Sequence, residues 1–128
     1  MLFLAFAAER LNRWADCSMP APSVLRVLWL IHKRPSMYLG WDDSQRRRQL
    51  HALHAILTGY GLALQQHRVG QDDLVVLGEL EAFLRQRSGA DNLVGIDQIL
   101  SSASSDDEAW TRTWALIEEF TARKSVDL

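Results

Sequence analysis

Four groups of residues have types and spacings that chemistry could use. His51 and His54 stand three apart on one predicted helix, a spacing that metal ligands share. A site would need a third and a fourth ligand, and neither H-E-x-x-H nor a carboxylate-x-x-His pattern supplies them. The two histidines therefore read as the polar edge of a core helix, and no metal is expected. His32 and His67 stand alone. Cys17, the one cysteine, lacks the local signature of an activated nucleophile and reads as an inert thiol. No G-x-S-x-G elbow, phosphate-binding loop or dinucleotide fingerprint occurs, and the glycines are scattered, so no cofactor and no catalytic activity are expected. Arg46-Arg47-Arg48 is a basic run, but consecutive helical residues point about 100° apart. With a net charge of −2 the run reads as a solvated first turn, and no direct nucleic-acid binding is expected. The informative excess is aromatic: Trp14, Trp29, Trp41, Trp110 and Trp114 occur in 128 residues. Tryptophan is enriched at interface hot spots, and Trp41, in a predicted loop, is the best candidate for an exposed partner contact.

The chain that positions these groups is 48% apolar and 23% charged, which excludes wholesale disorder and suits one domain over residues 1–128. Its charge is uneven. Residues 1–68 carry nine Lys/Arg against four acids, and residues 69–128 carry five against twelve. Such a split suggests either two different surroundings or two halves that neutralise each other. On the first reading Asp72, Asp73, Glu79, Glu81, Asp106 and Asp107, with Glu108, form an acidic docking surface.

The pattern is helical throughout, and the expected fold is an all-α compact bundle of five to six helices. Val24, Val27, Leu28 and Ile31 form a buried stripe that Pro35 ends. Asp42, Asp43 and Ser44 are placed to cap a helix over 44–66, whose stripe is Leu50, Leu53, Leu57, Tyr60 and Leu64. Gly59 and Gly61 within it suggest a close crossing by another helix. Gly70 and Asp72-Asp73 start the next helix, with Leu74, Leu77, Leu80 and Leu84 on its stripe. Gly89 to Gly95 reads as a loop and Ile96–Leu100 as a short helix. Ser105 and Glu108 form an S-x-x-E capping box before Trp110, Trp114, Ile117 and Phe120. The apolar start, Met1 to Ala8, is too short for a membrane span and lacks the basic flank of a secretory signal. It reads as a short amphipathic helix through Trp14, so residues 1–18 form an extension and Met19 is an alternative start. A cytoplasmic protein with no membrane partner is expected.

The sharpest motif is Arg34-Pro35-Ser36-Met37-Tyr38-Leu39-Gly40. It resembles the R-P-G-M-Y-I-G stretch of type II topoisomerase ATPase subunits for about thirty residues. The D-x-G-x-G and G-x-G nucleotide motifs of that family are absent, so the likeness is a local one. A second resemblance covers most of the chain after Met19. It is to a group of small all-helical bacterial proteins with R-P-x-M-Y-L-G, a long helix holding Gly59-Tyr60, and a late Ser105–Trp110 segment leading to Glu119-Phe120. This chain departs in having Ser36 where glycine is common, and in its apolar extension. Those proteins resemble immunity proteins encoded beside polymorphic toxins. The resemblance implies a non-enzymatic protein that binds and neutralises a cognate toxin domain, one acting on nucleic acid or nucleotides. Within the motif, Pro35 is expected to end a helix, Met37 and Tyr38 to plug the gap between helices, Gly40 to turn the chain, and Arg34 to hold carbonyls at the helix end. The alternative is a small helical enzyme or ligand sensor using His51, His54 and Tyr60 around a cavity.

Overall fold

A computed structural model of the chain describes residues 23–89 and 95–127. Among them it forms six helices and no strand: α1 Ser23–Lys33, α2 Pro35–Leu39, α3 Arg46–His67, α4 Gln71–Ser88, α5 Gly95–Ser102 and α6 Asp106–Asp127. The all-α bundle expected from periodicity is the fold. The expected helix through Trp14, Cys17 and the 90–94 part of the expected loop lie outside the described residues.

One core draws on every helix. Val24, Leu25, Leu28 and Ile31 of α1 meet Leu50 and Leu53 of α3, Val76, Leu80, Phe83 and Leu84 of α4, and Ile96, Ile99 and Leu100 of α5. Leu39 of α2 and Trp110, Trp114, Ile117 and Phe120 of α6 complete it. The α3 register is the expected one, with Leu50 and Leu53 fully buried. Leu57, Tyr60 and Leu64 are only half-buried, because the last turns of α3 outrun the core.

Pro35 interrupts the chain for one residue only. It occupies the first turn of α2, where its missing N–H costs nothing, and Gly40 closes that helix in the left-handed region at φ 81°. Met37 and Tyr38, expected as plugs, are 65% and 39% exposed; the plug is Leu39. A five-residue helix presents one residue of its last turn inward, and that residue is the leucine. Arg34 acts through its backbone, its carbonyl accepting the N–H groups of Met37 and Tyr38.

The caps differ from expectation in instructive ways. Gln45 precedes α3 without a side-chain cap. Asp42 instead folds onto Ser44, accepting its N–H at 2.8 Å and its hydroxyl, which makes an Asx turn before the helix. Asp73 does not cap its own helix, which starts at Gly70 in the left-handed region. It is buried, and its carboxylate accepts the Val24 N–H at 3.2 Å and the Tyr60 hydroxyl at 3.0 Å. One carboxylate thus caps α1 and ties it to α3 and α4. Ser105 accepts the Glu108 N–H at 3.1 Å as expected, but Glu108 reaches back to Ser104 rather than to Ser105.

The close helix approach falls elsewhere than expected. Among the described residues a Cβ on Gly59 would meet nothing within 4 Å, and one on Gly61 would make only an ordinary contact with Leu77 at 3.5 Å. At Gly95 it would lie 2.7 Å from Leu84 Cβ and 3.0 Å from the Leu84 carbonyl carbon. The first residue of α5 is therefore pressed on the backbone of α4. Gly59→Ala should raise stability by about 0.5–1 kcal/mol, whereas Gly95→Ala should lower it by about 1–3 kcal/mol. Urea titration of the two variants checks the opposite signs. Asp73→Ala should cost about 1–3 kcal/mol in the same titration, since it removes a cap and a buried acceptor together.

Candidate functional site

The acidic residues expected to form a docking surface do not converge. Asp73 is buried in the α1 cap, and Glu81 accepts the Gly95 N–H at 3.2 Å at the start of α5. Glu79 pairs with Lys124, and Asp106 pairs with Arg47 at 3.1 Å. Asp106 and Lys124 stand at opposite ends of α6, about 27 Å apart at 1.5 Å per residue. Asp72 and Asp107 are exposed at separate helix starts. The two unlike halves of the sequence meet across the fold at the Arg47–Asp106 ion pair, and His51 faces Asp97 at 3.8 Å and His32 faces Glu118 at 3.6 Å.

The alternative constellation also disperses. His51 faces Asp97, Tyr60 donates to Asp73, and His54 lines a groove between α3 and α4. Among the described residues no group of three or more His, Cys, Asp or Glu is arranged to hold a metal ion. No helix there is long and apolar enough to cross a membrane.

What the fold does bring to one corner is aromatic and cationic. Met37, Tyr38 and Trp41 are exposed within five residues of chain, Trp41 by 40%. Arg48 lies over the Trp41 ring at 4.5 Å, and Lys33 over Trp29 at 4.8 Å. The arginine run is the first turn of α3, with Arg47 and Arg48 exposed as expected and Arg46 half-buried. Its members leave the helix in three directions: Arg46 onto the Trp110 ring at 4.2 Å, Arg47 to Asp106, and Arg48 onto Trp41.

The loop that carries Trp41 is pinned from beneath. Gln49 is fully buried, and its amide N–H donates to the Trp41 carbonyl at 2.7 Å and to Asp43 at 3.2 Å. Its carbonyl oxygen accepts from Arg46 at 2.7 Å. Ser44 holds the exposed Asp42 carboxyl below its ordinary pKa, first through its hydroxyl and then its N–H. Reading the sequence for motifs missed Gln49. The available signal was its spacing, four residues before Leu53 and one before Leu50, a polar side chain on a core stripe.

A second feature escaped the sequence reading. His32 stacks on Trp114 with ring centroids 4.5 Å apart and planes 8° from parallel, and its Nδ1 faces Glu118. Burial lowers the His32 pKa below 6.5 and raises the Glu118 pKa above 4.5.

No family model, curated protein or solved structure matches this chain.

The His32 and Glu118 shifts have opposite consequences for stability. Between its lowered value and 6.5, His32 binds fewer protons in the folded than in the unfolded state, so stability falls as pH drops through that window. Glu118 binds more protons folded than unfolded just above 4.5, so its contribution falls as pH rises there. His32→Phe, which keeps a ring on Trp114, should flatten the loss of stability below pH 6.5. Glu118→Gln should flatten the decline above pH 4.5. Thermal melts across pH 4–7 read both, with 4.5 and 6.5 as the ordinary values of the two groups.

Proposed function

We propose that this chain is a non-enzymatic binding protein that neutralises a cognate toxin domain, and that it docks through the Met37–Trp41 corner. The observation that carries the docking face is the exposure of Met37, Tyr38 and Trp41 together on a pinned segment. Buried anchors at interfaces are enriched in Tyr, Trp and Arg, and Arg34 and Arg48 flank these aromatics. The resemblance of Arg34–Gly40, Gly59-Tyr60 and Ser105–Trp110 to small bacterial immunity proteins supplies the partner class. A toxin acting on nucleic acid or nucleotides fits that class. The partner surface that suits this corner is an apolar pocket rimmed by carboxylates, opposite Arg34 and Arg48. Neutralisation then follows from occupancy of the toxin domain by a rigid helical wedge.

The test asks whether a neighbouring gene encodes a toxin domain, co-expresses that domain with this chain, and measures cell survival and binding. Trp41→Ala, and Met37→Ala with Tyr38→Ala, should each weaken binding by about 30-fold or more, the hot-spot range of roughly 2 kcal/mol. The same variants should stay folded at a cost of about 2 kcal/mol or less, since Met37 is largely exposed and Tyr38 and Trp41 keep a large part of their surface in solvent. Asp72→Asn with Asp107→Asn should leave binding unchanged. A chain that neither binds nor protects overturns the reading, and loss of binding confined to the acidic pair moves the docking face to the acids.

A further inference from the structure

Gln49 stands on α3 between exposed Arg48 and the core residue Leu50, and is itself wholly buried. A buried amide is costly unless its donors and its acceptor are met. Here all three partners come from residues 41–46. The amide N–H groups donate to the Trp41 carbonyl at 2.7 Å and to the Asp43 carboxylate at 3.2 Å. The amide oxygen accepts from the Arg46 guanidinium at 2.7 Å, which also reaches Asp43 at 3.3 Å. Arg46 lies in turn over the Trp110 ring at 4.2 Å, so the network runs from the loop between α2 and α3 to α6.

The main chain on either side of Trp41 is held locally. Gly40 donates to the Ser36 carbonyl, and Ser44 and Gln45 donate to Asp42. At Trp41 itself, among the described residues, the backbone hydrogen bond is the one from Gln49. Arg48, one residue before Gln49, lies over the Trp41 ring at 4.5 Å. Two consecutive residues of α3 therefore grip Trp41, one by its carbonyl from within and one by its ring from outside.

We infer, resting on the Met37–Trp41 docking face proposed above, that Gln49 is a positioning residue for partner binding. Its buried amide holds the Trp41 loop in place, so a partner meets an indole that is already ordered. Being buried, Gln49 touches no partner itself. It acts by removing an ordering cost that binding would otherwise carry.

The test begins with the parent chain. Its Gln49 side-chain amide protons should exchange with D2O far more slowly than those of exposed Gln65 and Gln86. Equal exchange overturns the inference whatever the variants do. Gln49→Met keeps the length of the side chain and removes its three hydrogen bonds. Gln49→Glu keeps the acceptor for Arg46 and loses the donors. In 15N relaxation both should loosen the backbone of Trp41 to Asp43, while the amides of α4 and α6 keep their slow exchange. Gln49→Met should weaken binding of the toxin domain by about 10-fold. In a Trp41→Ala background the same change should alter binding by less than about 2-fold, a split that general destabilisation does not produce. A loop as ordered in both variants as in the parent overturns the inference. Weakening by Trp41→Ala but not by Gln49→Met overturns it and leaves the docking face standing. So does equal weakening by Gln49→Met with and without Trp41. A Trp41→Ala variant that binds as the parent does removes the docking face, and the positioning role with it.

Discussion

The placement of α1 rests on one buried carboxylate. Asp73 receives the Val24 N–H from one side and the Tyr60 hydroxyl from the other, so α1, α3 and α4 share a single acceptor. The arrangement combines two favourable effects. A helix N-terminus presents unpaired N–H groups and a partial positive charge, and a carboxylate answers both. Burial removes competing water and would be costly for an unpartnered charge, which makes the two donors a condition of the packing. Once α1 starts there, its other end is set by the His32 stack on Trp114. Pro35 then allows only a one-residue break before α2, and the exposed aromatic corner follows.

Electrostatics in this fold is mostly internal. A sequence with a basic first half and an acidic second half invites the reading of two faces. Here the second half's acids are spent at helix starts and in ion pairs with residues far away in sequence. Glu81 meets the first N–H of α5, Glu108 bonds Ser104, and Asp106 takes Arg47. These surface pairs contribute little individually. Among the described residues these three acids therefore answer separate partners at separate helix starts.

The sequence made the helices and most of the core legible because period and punctuation carry that information locally. Leu50 and Leu53, the α6 stripe and the Ser105 cap were readable from spacing alone. What was not readable depends on contacts between distant residues. Asp73 looks like the acidic first turn of α4 and serves α1, 49 residues away. Gly59 looks like a crossing point and is open, while Gly95, which reads as a loop end, is the crowded one. Within the motif Met37-Tyr38-Leu39, hydrophobicity cannot say which side chain turns inward. The packing of the short helix against its neighbours decides it, and the buried residue is Leu39. The candidate site was legible only at Trp41. Its stacking on Arg48 and its support by Gln49 depend on how the loop folds back over α3.

Exposure alone does not make Trp41 an anchor, since isolated apolar residues are common on protein surfaces. What separates this corner is its rigidity. Binding orders side chains and loops, and each immobilised group subtracts from affinity. For the docking face proposed above, much of that ordering is already in place in the fold. Gln49 fixes the Trp41 carbonyl, Gly40 closes α2 through its N–H to Ser36, and Arg48 covers one side of the indole. The burial of Gln49 is tolerable only because Trp41, Asp43 and Arg46 meet its amide on all sides. A polar side chain is thus kept inside the core at the one position that supports an exposed aromatic. An apolar residue there would remove all three partners at once and leave the loop unpinned. Gln49 thereby joins the core of α3 to the loop from which Trp41 projects.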